Sequence, residues 1–250
     1  VKFENTNVYN FENAFRGMRN PKNSWDKSDS GYGCDGELCS VCMFKPDYCE
    51  HTPEYVVGED DLKLAQKLIK GGSEHRKFMR QIFVSVDITA PLFWWKEFDT
   101  YKVGTVANST STMHKLATTP ITIDCFETDD MIDLNTVIIN YPNLSKDYTM
   151  SLSKYLMILI DTCEGLRLKY LETEDKRYWK ELIRWLPESW LQTRTVTMNY
   201  ENVLNICNHR KSHKLNEWSG ADNSELPNFI SWAKTLPYAQ DLIFINEQQK

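Results

Sequence analysis

Arg210 occupies a position that demands a partner. It closes the stretch "NYENVLNICNHR", in which Asn199, Val203, Ile206 and Arg210 fall close to one azimuth at about 100° per residue. A guanidinium on a core-facing stripe needs an anion, because an unpaired buried charge is costly. Two kinds of partner satisfy it. One is an Asp or Glu from another helix. The other is a ligand phosphate or ionised base, which the planar guanidinium fork matches well. Arg184, just ahead of "WLP", and the pair Glu74–His75 after "GGS" are weaker candidates, since each reads equally well as solvated surface or structure.

A second group is made of sulfur. Cys34, Cys39, Cys42 and Cys49 form C-x4-C-x2-C-x6-C, with His51 next but one. A C-x2-C step with flanking thiolates can build a tetrahedral zinc site that staples a loop; the same residues can equally be free thiols. A closed site of this kind is structural, because it leaves no position open for substrate. Cys125, Cys163 and Cys207 lie in apolar surroundings and read as packing residues. A third stretch, "WWKEFDTYKVGTVANSTSTMH" (Trp94–His114), runs from aromatic rings into Asp99, Lys102, Asn108 and a Ser/Thr cluster. No GxGxxG, P-loop, GxSxG or HExxH pattern is present, so no common glycine fingerprint holds a cofactor.

The elements that position these groups read as follows. Asn10–Asn20 forms a short helix, and residues 21–53, rich in Gly, Ser, Asp and Pro, form a long irregular segment. Gly58–Gly72 is a helix with apolar residues at Leu62, Leu64, Ala65, Leu68 and Ile69. "QIFVSVDIT" switches to period two and predicts a half-buried strand. Pro91 then opens a helix over "LFWWKEF", and "KVGTVANSTST" is a loop. The second half reads as four helices: "YTMSLSKYLMILIDTCEGLRLKYLE", "DKRYWKELIRWLP" stopped by Pro187, "NYENVLNICNHRKSHKLNEW" and "NSELPNFISWAKTL". One clear strand among several helices makes the class α+β.

Composition sets outer bounds. A net charge of −6, from 35 acidic and 29 basic residues, argues against sequence-independent nucleic-acid binding, which rests on phosphate neutralisation. The strongest apolar run, "YLMILI", is far short of a membrane span, and "VKFENTNVYNF" lacks the apolar core of a secretory leader. A cytoplasmic protein without disulfides is expected; the opening Val1 in place of an initiator methionine suggests either trimming or an artefact of preparation.

In this order the segments resemble a known family. Lys180–Trp218 resembles the C-terminal half of flavin-dependent thymidylate synthases, which carry E-x-A-R-x-x-L-P and then an Asn opening a helix with further Asn residues and an Arg. From Leu186 and Pro187 onward, Asn199, Asn205, Asn208 and Arg210 fall in register, while Arg184 and Glu181 match with one residue fewer before Leu186. "GGSEHRKF" is similar to the family's Glu-His stretch. Trp94–His114 falls where the family keeps Arg-His-Arg, seven residues, Ser. Registered on Ala90–Pro91, the three basic positions read Thr100, Tyr101 and Lys102. The family's Asn-Glu-x-Ser reads Asn108-Ser109-Thr110-Ser111, eight residues separate Lys102 from Ser111, and Met113 replaces the following Arg.

The resemblance implies a flavin-dependent thymidylate synthase-like fold, helix-rich with an antiparallel or mixed sheet. It implies one domain over residues 1–250, with a Cys-rich insert at about 30–55; the region around residues 129–147 also lies outside the likeness. It implies reductive C5 methylation of dUMP or a related uridine nucleotide, with FAD, methylenetetrahydrofolate and NADPH, in a homotetramer. Arg210, which would favour the N3-ionised pyrimidine, and Ser111 would be catalytic. Glu97, Asn108, Ser111, Arg184 and Arg210 would contact the nucleotide. Glu74, His75, Thr100, Tyr101, Lys102, Ser109, Asn199 and Asn205 would contact the flavin. Cys34, Cys39, Cys42 and Cys49 would hold a structural zinc. Two other readings stand beside this one: a non-catalytic nucleotide-binding homologue on the same scaffold, and a zinc-stapled interaction protein.

Overall fold

The computed structural model describes residues 1–33, 54–111, 116–221 and 225–245. The four cysteines of the zinc reading, Cys34, Cys39, Cys42 and Cys49, lie outside the described residues, as do Met113 and His114. Strand β1 (Lys2–Tyr9) leads into helix α1 (Phe11–Arg19) through Asn10, whose left-handed backbone (φ 75°) is one that Asn tolerates. A short hairpin follows, β2 (Gly31–Gly33) against β3 (Glu54–Val56), with Tyr32 opposite Tyr55. Helix α2 (Glu59–Lys70) has three carboxylates in its first turn and lysines in its last, in accord with the helix dipole. Strand β4 (Phe83–Pro91) runs directly into α3 (Leu92–Phe98), with Pro91 as the extended residue before the first turn. Then come β5 (Val106–Ser109), a hairpin of β6 (Ile138–Asn140) and β7 (Thr149–Ser151), and the long helix α4 (Leu152–Thr173). The chain ends with α5 (Lys176–Trp185), β8 (Leu191–Asn199), α6 (Tyr200–Arg210) and the short helices α7 (Asn216–Ser219), α8 (Phe229–Lys234) and α9 (Ala239–Leu242).

The main sheet has four strands in the order β1-β4-β8-β5. The α+β expectation therefore holds, and the period-two reading of β4 holds with it: Val84, Val86 and Ile88 are buried and alternate with less buried residues. Other readings need correction. "KVGTVANSTST" is not all loop, because Val106–Ser109 pairs into the sheet. Strand β8 was hidden by its polarity: Gln, Thr and Arg stand where an apolar period would show, although its β-branched content suits a pleated surface. The third helix of the second half stops at Arg210 and a separate turn of helix begins at Asn216. The first starts at Leu152 after strand residues, and the fourth is confined to Phe229–Lys234. A short strand, Gly31–Gly33, also stands inside the irregular segment, and its partner Glu54–Val56 directly follows that segment.

The described chain forms two compact units, each gathered from several stretches. The first takes Val1–Lys2, Ile88–Thr100 and Asn108–Thr195; the second takes Phe3–Asp87, Tyr101–Ala107 and Val196–Lys250. In the first unit the core joins Leu116, Ile121, Phe126, Cys163 and Leu182, with Trp190 edge-on to Phe126 at 5.6 Å. In the second, Phe15 packs edge-on to Phe78 at 5.8 Å, and Trp218, Phe229 and Trp232 form a chain of ring contacts. Among the described residues no helix is long and apolar enough to cross a membrane.

Candidate functional site

Helix α6 organises the second unit's share of the candidate residues. Asn199 caps its N-terminus: the side-chain oxygen accepts from the Asn202 amide at 3.0 Å, so one orphan donor of the first turn is satisfied. One turn along, the Asn202 side chain donates to the Val103 carbonyl at 2.7 Å and to Thr105 Oγ1 at 3.0 Å. Between these anchors Gly104 takes a left-handed backbone (φ 72°), and a Cβ there would stand 2.7 Å from Asn199 Nδ2. The segment Tyr101–Thr105 is thereby fastened to the start of α6.

At the other end of α6, Arg210 meets the same segment. Its Nε donates to Tyr101 Oη at 2.9 Å, and its guanidinium lies 4.7 Å from the Trp218 ring and 5.5 Å from the Tyr101 ring. His209 stacks on Tyr101 at 6.2 Å. Tyr101, Asn199 and Arg210, named from two separate stretches of the sequence, are thus joined to one helix, while Lys102, next to Tyr101, is exposed. Around Arg210 the structure places a phenol and an indole.

Asn205, also on α6, accepts from Arg76 Nη2 at 3.3 Å. Arg76 donates through Nε to the buried Glu201 at 2.9 Å, and Arg80 donates to the other oxygen of that carboxylate. Burial pushes the Glu201 carboxyl upward, but the hydrogen bonds and charges of Arg80 and Arg76 outweigh it, and the group sits below its ordinary 4.5. Glu74 and His75 are exposed just upstream, with Glu74 3.7 Å from Lys77. Asn202 left no signal in the sequence, because its side chain bonds the distant Val103 and Thr105 and not the cap. Arg76, Arg80 and Glu201 carried no such signal, because two arginines on a loop read as solvated.

The first unit holds Glu97, Thr100, Asn108, Ser109, Ser111 and Arg184. Glu97 is on the last turn of α3, and its carbonyl accepts from Thr100 Oγ1 at 2.7 Å. Asn108 and Ser109 are exposed on β5. Ser111 follows Thr110, whose amide donates to Thr193 O at 2.8 Å and whose carbonyl accepts from Gln192 Nε2 at 3.0 Å. Gln192 also accepts from Arg194 Nε at 3.0 Å; Arg194 pairs with Asp99 at 2.7 Å and lies over Trp95 at 4.2 Å. Arg184 is exposed at the end of α5 and pairs with Glu181 on its own helix.

No family model and no curated protein matches the sequence. Solved structures do match it. A crystal structure of the flavin-dependent thymidylate synthase ThyX from Helicobacter pylori, complexed with FAD and dUMP, is similar over 98% of this chain and 99% of its own, at 16% identity and a TM-score of 0.59. A second ThyX structure from Helicobacter pylori, also with FAD and dUMP, covers 100% of both chains at 16% identity and a TM-score of 0.60. The chain has the flavin-dependent thymidylate synthase fold. The UMP/dUMP methylase PolB from Streptomyces cacaoi also matches, over 74% of this chain at 13% identity and a TM-score of 0.47. With ThyX the likeness is one of fold; it agrees with the family resemblance drawn from Asn199, Asn205 and Arg210.

Proposed function

We propose that the protein binds a uridine nucleotide such as dUMP together with FAD and methylates the pyrimidine at C5, with methylenetetrahydrofolate as carbon donor and NADPH as reductant. One observation carries this reading. Tyr101, in the segment that stands in place of the family signature, and Arg210, more than a hundred residues away, meet in a 2.9 Å hydrogen bond. Two stretches that the resemblance assigns to one site lie together in the fold, which supports the reading.

The donor set of the second unit fits a flavin nucleotide. Asn199 and Asn205 supply amides, and Arg76 with Arg80 set two guanidiniums against the single carboxylate of Glu201, leaving positive charge beside Asn205. A flavin diphosphate needs such a charge. When bound, the flavin supplies the redox chemistry. This chain's residues supply the rest. Arg210, steadied by Tyr101 and Trp218, would orient the pyrimidine and favour its N3-ionised form. Ser111, fixed through Thr110 to β8, would stand near the pyrimidine, and Glu97, Asn108 and Arg184 would add nucleotide contacts. Lys102 and Ser109 would reach the flavin. A homotetramer accords with the exposed apolar residues Tyr155, Met157, Ile158, Leu168 and Leu171 of α4.

The test is the visible spectrum of the purified protein before and after adding FAD, followed by dUMP titration. A flavin band, and dUMP binding that falls in Arg210→Ala, are expected. No flavin band under either condition removes the enzyme reading. Colourless protein that still binds dUMP through Arg210 would leave nucleotide binding alone.

A further inference from the structure

The second unit contains a cavity of about 930 Å³ that the nucleotide and flavin reading does not use. Its walls come from β1, the start of α1, the β2–β3 hairpin and the turn before α9. Its volume lies within the usual range for small-molecule sites. Four aromatic rings line it, Phe11, Tyr32, Tyr55 and Tyr238, together with two carboxylates, Glu12 and Glu54; no Lys or Arg is among the described lining residues.

The arrangement is organised, not merely open. Tyr32 Oη donates to Glu12 Oε2 at 2.8 Å, which orients that carboxylate. Tyr32 and Tyr55 meet edge-on at 5.6 Å across the hairpin, and Phe11 meets Tyr238 edge-on at 5.5 Å. Tyr238 Oη accepts from the Val57 amide at 2.9 Å, tying the turn to the hairpin strand. Two lining residues, Asn10 and Tyr238, hold left-handed backbones at φ 75° and 55°. For a bulky aromatic residue this conformation is costly, and such strain clusters at ligand sites.

We infer that this cavity is a binding site for a small organic cation bearing amine or guanidinium groups. Carboxylates attract the charge, and the tyrosine faces add cation–π attraction. The same charge repels phosphates, so the ligand is of a different class from a nucleotide or flavin. Both carboxylates are exposed, so the affinity is moderate.

Calorimetric titration of the full chain with spermidine, and separately with agmatine, tests this. Saturable one-to-one binding in roughly the micromolar-to-millimolar range is expected. The double variant Glu12→Gln/Glu54→Gln should weaken it by roughly tenfold or more, with dUMP binding unchanged. Because the chain is acidic overall, diffuse counter-ion binding is the competing outcome. It would survive that double change, which removes 2 of 35 acidic residues, and so would overturn the inference. Tyr55→Leu tests the ring independently and should weaken binding several-fold. Absence of saturable heat with both probes, or unchanged affinity in whichever variant melts like the parent, overturns it too. Since dUMP binding is measured on the same samples, failure here is distinct from failure of the methylation reading.

Discussion

Replacing Gly104 by alanine tests the account of how Tyr101 is brought to Arg210. The left-handed backbone at φ 72° costs an alanine about 1–2 kcal/mol more than glycine. The new Cβ would also stand 2.7 Å from Asn199 Nδ2 and 3.3 Å from Asn202 Nδ2. Relief requires one of these side chains to move. Moving Asn199 gives up the cap of α6, about 1 kcal/mol. Moving Asn202 gives up its bonds to Val103 O and Thr105 Oγ1, about 1 kcal/mol each. The sum is about 2–4 kcal/mol, or roughly 4–16 °C in melting temperature for a chain of this size. Gly165→Ala is the matched control. Gly165 lies inside α4 with open space at its Cβ position and no left-handed backbone, so alanine there should stabilise by about 0.5–1 kcal/mol. The assay is thermal and urea unfolding of both variants, with dUMP affinity measured alongside. If Gly104→Ala lies within about 0.5 kcal/mol of the parent, the fastening of Tyr101–Thr105 to α6 is wrong.

Further expectations concern charge, thiols and metal. Glu201 ionises below its ordinary 4.5 in the folded chain, so its contribution is fully present above that pH and is lost as pH falls through the folded value. Acid titration of stability should therefore steepen below about pH 4.5, and Glu201→Gln should flatten that limb while costing about 1–3 kcal/mol at neutral pH. Burial raises the Cys163 thiol above its ordinary value. In timed alkylation with iodoacetamide read residue by residue by peptide mapping, Cys125 should react before Cys163, and early modification of Cys163 would contradict its packing. If Cys34, Cys39, Cys42 and Cys49 form a closed zinc site, elemental analysis should return one zinc per chain, and the Cys42→Ser variant should lose it.

The sequence made some of this visible for definite reasons. Val84, Val86 and Ile88 face a core, so β4 advertised itself by period two, and Pro91 marked the entry to α3. Strand β8 gave no such sign because its buried residues include Gln192 and Asn199, polar residues held by bonds to Thr110 and within α6. The break after Arg210 was silent as well. "KSHK" contains neither Gly nor Pro, yet the chain turns there, with the Leu215 amide donating to His213 Nδ1 at 3.2 Å. That turn folds Trp218 back over Arg210, whereas a continuous helix would carry it two turns beyond. The asparagines and arginine of α6 were therefore legible by spacing, but Arg210's indole neighbour was not. Arg76, Arg80 and Glu201 were illegible because pairing over more than a hundred residues leaves no local pattern.

The same trio bears on the methylation reading through the family cations that Thr100 and Tyr101 replace. Charge removed from one place can be supplied from another, provided it faces the same ligand group. Arg76 and Arg80 share one carboxylate, so the cluster keeps an excess positive charge, and Arg76 bonds the Asn205 amide proposed to contact the flavin. Arg76→Gln removes that charge yet leaves Glu201 paired with Arg80, so folding should persist with a loss of about 1 kcal/mol. If the cluster compensates for the missing cations, FAD affinity should fall by roughly tenfold to a hundredfold, the worth of one charge-assisted contact, and should become less sensitive to salt. Flavin fluorescence quenching measures both. An unchanged FAD affinity in a variant that melts near the parent would mean that Arg76 serves only to hold Glu201. The charge for the diphosphate would then have to come from Lys102 instead, and Lys102→Gln, not Arg76→Gln, would carry the loss.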